Sequence, residues 1–134
     1  MEESVYVTRA DIVEAMRQLG VKEGDRLFAH SSLSAFGCVE GGTEAVCDAL
    51  LDTVGKEGTM AVPTFTWGMN HRTEIVTFDV AKDRCEVGAI PEAFRQRPEA
   101  IRDEHVCHSI AAIGRRAAEV VGDGVRSFAW GSGM

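Results

Sequence analysis

The chain has no C-x-x-C pair, no apolar run approaching the ~20 residues that cross a bilayer, and no excess of positive charge. Its cysteines, Cys38, Cys47, Cys85 and Cys107, are widely spread. That spacing argues against a thioredoxin-type motif or a small stapled secreted framework, and reduced, packed thiols are expected. The N-terminal stretch MEESVYVTRADIVEAM is acidic and helix-patterned, unlike a secretory leader. A soluble, cytoplasmic protein with no membrane partner is therefore expected. A formal net charge of −7 argues against a nucleic-acid partner and suits cationic ligands. Also missing are a G-x-x-x-x-G-K-S/T loop, an intact G-x-G-x-x-G and a G-x-S-x-G elbow. P-loop nucleotide chemistry, a standard dinucleotide site and a serine hydrolase thus lose their usual signals. There is no internal repeat, linker or low-complexity segment. With 134 residues, 45% of them hydrophobic, residues 1–134 read as one domain able to bury roughly two thirds of its unfolded surface.

What is present alternates between helix and strand patterns. Thr8 can cap a helix in which Ile12, Val13, Met16 and Leu19 recur at helical spacing, with Gly20 as its stop. RLFAH (Arg26 to His30) reads as a strand that runs into the Ser- and Gly-rich stretch SSLSAFGCVEGG. A helix over 43–54 and a strand in TMAVPTF follow. Their apolar content points to a parallel sheet covered by helices, with a right-handed crossover between its strands. From Trp67 to Gly88 the pattern weakens, as in a loop that lines a site. Pro91 fits the first position of a helix ending near Arg97, SIAAIG reads as a third buried strand, and RRAAEVVG as a short helix.

Two stretches carry chemistry. The first is IRDEHVCHSIAAIG. If 105–113 is extended, His105, Cys107 and Ser109 share one face and His108 the other, so the histidines diverge and a zinc clasp is disfavoured. A strand entrance can present one imidazole as a general base, near its ordinary pKa of ~6.5, oriented by Asp103 or Glu104. Hydrogen-bonded structural histidines fit the same residues, and both readings stay open. Cys107, within an apolar run, is a poor nucleophile. The second stretch is HSSLSAFGCVEGGTEA. Its glycines permit close backbone approach, and the helix after it offers N–H groups suited to a phosphate, although an ordinary Gly-rich connection has the same composition.

In order and spacing, three segments together resemble the aminoglycoside 3-N-acetyltransferase (antibiotic N-acetyltransferase) family: HSSLSAFGCVEGGTEAVCDALLDTVGKEGTMAVPTFTW, FDVAKDRCEVGAIPEAFRQRPEAIRDEHVCHSIAAIG and FAWGSGM. The resemblance covers nearly the whole chain. It implies an α/β fold of three α/β/α layers, with a mostly parallel sheet flanked by helices, of which this is the N-terminal portion, truncated before a second one. It implies an acyltransferase of the antibiotic-resistance type that uses acetyl-CoA and no metal to acetylate a small cationic amine by direct transfer.

Residue by residue, HSSLSAFG matches the loop along CoA, which makes Ser31, Ser32, Leu33, Ser34, Phe36 and Gly37 cofactor candidates. RDEHVCHS matches a motif in which Arg and Ser precede His-Pro-x-x-Ser. That match places the family's histidine at His105 and its serine at Ser109, with His108 ranked lower and with Asp103 and Val106 as departures; His105 is the candidate base, and backbone N–H groups or the Ser109 hydroxyl are the candidate oxyanion donors. Asp79, Asp103 and Glu104 are the acidic candidates for contacting the cationic acceptor. The competing expectation is a non-catalytic CoA- or nucleotide-binding module, or an inactive fragment, that associates into a homo-oligomer.

Overall fold

The computed structural model describes residues 4–67 and 77–122. FAWGSGM and the middle of the expected 67–88 loop lie outside the described residues. After a short strand β1 (Tyr6–Val7), helix α1 (Arg9–Gln18) begins at the expected cap. The Thr8 hydroxyl accepts from the Asp11 N–H, and the Asp11 carboxylate accepts from the Thr8 N–H. This reciprocal pair satisfies two N–H groups that the first turn cannot.

Strand β2 (Arg26–Phe28) leads through a 3-10 turn (Leu33–Phe36) to β3 (Cys38–Val39), which pairs in parallel with β1. Helix α2 (Gly42–Val54) then starts one residue earlier than the sequence pattern indicates. Gly41 and Gly42 take φ values of 83° and 61°, a reversal that side-chain-bearing residues resist. Strand β4 (Thr59–Pro63) runs parallel to β2, with Leu27 opposite Met60, so the strand, helix, strand unit is present.

The sheet then departs from expectation. Helix α3 (Ala89–Arg95), β5 (Ile101–Arg102), β6 (Ile110–Gly114) and α4 (Ala117–Val121) follow. The strand order is β2-β4-β6-β5. Strand β6 is antiparallel to both of its neighbours, pairing Thr59 with Gly114, Pro63 with Ile110 and Ile101 with Ala112. The sheet is therefore mixed, not mostly parallel. A strand buried on both faces carries the same apolar run in either direction, so SIAAIG could not reveal its own.

Alternation along β4 and β6 divides the core. Met60, Val62, Ala111 and Ile113 face α2 and α3 residues such as Val46, Leu50, Ile90 and Phe94. Ala61, Ile110 and Ala112 face Ala117, Val120 and Val121 of α4. Pro91 is the third residue of its helix instead of the first, still within the turn whose N–H groups lack intrahelical partners. Among the described residues no helix is long and apolar enough to cross a membrane.

Candidate active site

Asp103 organises the stretch between β5 and β6. Its N–H donates to the Ile110 carbonyl at 3.0 Å. Its carboxylate accepts from the backbone N–H of His105 at 2.9 Å and of Ile110 at 3.3 Å. Residues 106–108 form a turn, not a strand. Across it, the amides of Cys107 and His108 both donate to Nδ1 of His105, at 3.2 and 2.9 Å. A neutral imidazole that accepts at Nδ1 carries its proton on Nε2.

The histidines expected to diverge therefore converge. Their ring centroids are 5.5 Å apart, edge to face. Both rings are half-buried. Asp103, expected to meet the acceptor, is only 4% exposed. Burial pushes its carboxyl above the ordinary range, opposed by the two amides and by the nearby Arg102 guanidinium. It supports the turn from inside. Glu104, beside it, is exposed.

Ser109 is fully buried. Its hydroxyl donates to the Thr64 carbonyl at 2.8 Å, and it accepts from the Thr64 hydroxyl at 2.8 Å and from Arg102 Nε at 3.1 Å. With its one proton so engaged, it ties β6 to the chain leaving β4. Arg102 also reaches the carbonyls of Thr64, Val80 and Asp83 and lies 4.9 Å over the Phe78 ring. It thereby fastens the 77–85 segment beneath the site. Asp79 sits in that segment, in a separate turn. Burial works against its ionisation there, but the N–H groups of Ala81 and Lys82 and the Lys82 ammonium outweigh it, holding the carboxyl below the usual range. Among the described residues no hydrogen bond or ion pair joins Asp79 to the histidines.

Phe65 connects the turn to the Ser- and Gly-rich loop. Its ring meets His108 at 5.2 Å, His30 at 6.5 Å and Trp67 at 5.7 Å. Ser31 follows His30 directly. The Ser31 hydroxyl oxygen is buried without a partner among the described residues, while those of Ser32 and Ser34 are bonded to each other at 3.0 Å on exposed residues. Gly37 has a φ of 73° and open space where a Cβ would stand.

Hydroxyls, an orphaned buried oxygen and an unshielded glycine suit the amide-rich arm of a pantetheine. The side chains of Leu33 and Phe36 pack instead against the α2 core. The start of α2 does not suit a phosphate. Glu40, Glu44 and Asp48 line the hollow there, and Arg9 is paired with Asp48 and Asp52. Glu44 and Asp48 are also paired with Arg97, so the arginines at this helix start are already engaged by carboxylates, which opposes a helix-terminal anion site.

The sequence profile of the family described as aminoglycoside 3-N-acetyltransferase matches residues 28–132. The chain belongs to the aminoglycoside 3-N-acetyltransferase family. It is 35% identical to aminoglycoside N(3)-acetyltransferase IX of Micromonospora chalcea, over 87% of this chain and 47% of that protein. Among solved structures it resembles the YokD protein of Bacillus subtilis, with a TM-score of 0.80, 28% identity, and coverage of 87% of this chain and 54% of that one. It also resembles AAC-VIa bound to sisomicin, with a TM-score of 0.75, 28% identity, and coverage of 87% and 49%. The chain thus spans about half the length of the curated relatives it matches.

Within the family motif, both departures now have a structural reading. Asp103 places acceptor oxygens where a serine would place one. Val106 stands second in the turn, where proline's fixed φ is at home. Among the described residues, no group of three or more His, Cys, Asp or Glu side chains is arranged to hold a metal ion. Sequence reasoning missed Thr64, Phe65 and Arg102. The β4–β6 register, continued one residue past Pro63 and Ile110, sets Thr64 against Ser109, and that register needs the antiparallel pairing.

Proposed function

We propose that this chain carries acetyl-CoA-dependent N-acetylation of an amine on an aminoglycoside antibiotic, by direct transfer with a histidine as general base. The observation that supports it most is the meeting on Phe65 of His30, which leads directly into the 31–37 loop, and His108 of the histidine turn, in a chain of this family. With helices against both sheet faces, the region is one half of a three-layer α/β/α architecture. Ser31, Ser32, Ser34 and the backbone at Gly37 hold the pantetheine arm, with Leu33 and Phe36 anchoring the loop from below. Acetyl-CoA, when bound, supplies an acyl group activated as a thioester.

An amine that is mostly ammonium near neutral pH must lose a proton before it attacks, so a positioned imidazole is required. His105 is the first base. Accepting a proton at Nε2 obliges the amides of Cys107 and His108 to yield Nδ1, so the ring changes tautomer as the acceptor arrives. His108 has a buried Nδ1 with no partner among the described residues, makes no such commitment, and stands as the second base. Exposed Glu104 attracts the cationic acceptor, in keeping with a relative that binds sisomicin. The test is incubation with acetyl-CoA and a panel of aminoglycosides and simple amines, with products read by mass spectrometry. An acetylated aminoglycoside is expected. Binding of acetyl-CoA with no acetylated amine would establish the non-catalytic module instead.

A further inference from the structure

We infer that Asp103 is the positioning residue of the histidine turn: its carboxylate clips residues 105 and 110 together and so holds the amides of Cys107 and His108 on Nδ1 of His105. The geometry is complete at each link. One carboxylate oxygen takes the N–H that opens the turn, at 2.9 Å, and the other takes the first N–H of β6, at 3.3 Å. The Asp103 N–H closes the same ring onto the Ile110 carbonyl at 3.0 Å. From the far side, the Thr66 hydroxyl and N–H bind the carbonyls of Val106 and Cys107. The two amides that grip Nδ1 thus belong to residues whose carbonyl side, or whose neighbour's, is already fixed. Asp103 supplies the remaining constraint.

Asp103 is buried and reaches the reacting groups only through His105. Substrate binding by this carboxylate is therefore replaced by control of the imidazole's orientation and tautomer. A serine at this position offers one acceptor oxygen for the His105 amide, so Asp103→Ser should retain the clip where Asp103→Ala abolishes it.

The test is spectroscopic and does not depend on His105 being the reacting imidazole. In 15N-labelled protein at a pH where the ring is neutral, wild type is expected to show His105 as an Nε2–H tautomer whose Nδ1 accepts hydrogen bonds. Folded Asp103→Ala is expected to move the Nδ1 resonance toward that of a non-bonded ring, and Asp103→Ser to restore it. An Nδ1 resonance identical in wild type and folded Asp103→Ala would overturn the inference, as would a wild-type ring protonated at Nδ1.

Discussion

Val106 has its carbonyl bound by Thr66, while its N–H enters no hydrogen bond among the described residues and its side chain is 43% exposed. A proline there forfeits nothing in the folded state and restricts the unfolded chain. Val106→Pro is therefore expected to preserve the fold and raise stability by about 0.4–1 kcal/mol, measured by urea denaturation. A loss of more than about 1 kcal/mol would mean that the local φ is not proline-like. The residues of the site were legible in the sequence as types. The family motif singled out His105, but the surroundings of Asp103, Ser109 and His108 follow from the 106–108 turn, where an extended strand was expected. Alternation arguments presuppose extension, and nothing in VCHS announces a turn by composition. Ser109 reads as an available hydroxyl until Thr64, far away in sequence, is found accepting its proton.

At the scale of elements, helix caps and apolar periods were sufficient to place α1, α2, β2, β4 and β6 within a residue or two, because each signal is local. Strand direction is not local. It depends on how the 64–109 connection returns, and the sheet is mixed because that connection delivers β6 antiparallel to β4. One glycine makes the return close. Gly114 has a φ of 131°, and a Cβ there would lie 2.3 Å from the Gly58 carbonyl oxygen and 2.6 Å from the Thr59 Cα. Both the torsion and the collision are with backbone, which cannot swing aside. Gly114→Ala is expected to cost at least about 3 kcal/mol in chemical denaturation, while Gly20→Ala, with nothing within 4 Å, suffers only from its own positive φ. Equal losses at the two positions would show that the β4–β6 approach is looser than this packing.

Across the whole molecule, acid stability is governed by buried carboxylates more than by surface pairs such as Arg9 with Asp48, which water and salt screen. Burial pushes Glu92 up, but hydrogen bonds from Arg95, the Cys85 amide and Gln96 outweigh it, and the carboxyl sits at about 2. A lowered value means stability that is present above the unfolded pKa of ~4.3 and lost as pH falls through about 2, of order 3 kcal/mol. Asp103 has the opposite sign. Raised by burial, it favours folding below ~3.9 and loses that contribution as pH rises through its folded value. Glu92→Gln is expected to flatten the loss of stability between pH ~4.3 and 2, followed by urea midpoints across that range; an unchanged acid limb would place the titrating group elsewhere.

The most direct measurement of the proposed chemistry is amine-dependent release of CoA thiol by wild type and by His105→Ala, with circular dichroism as the folding control. Wild type is expected to release thiol only when an aminoglycoside is added, and a folded His105→Ala to do so about 10²- to 10⁴-fold more slowly. Undiminished release by the folded variant would remove His105 from the chemistry.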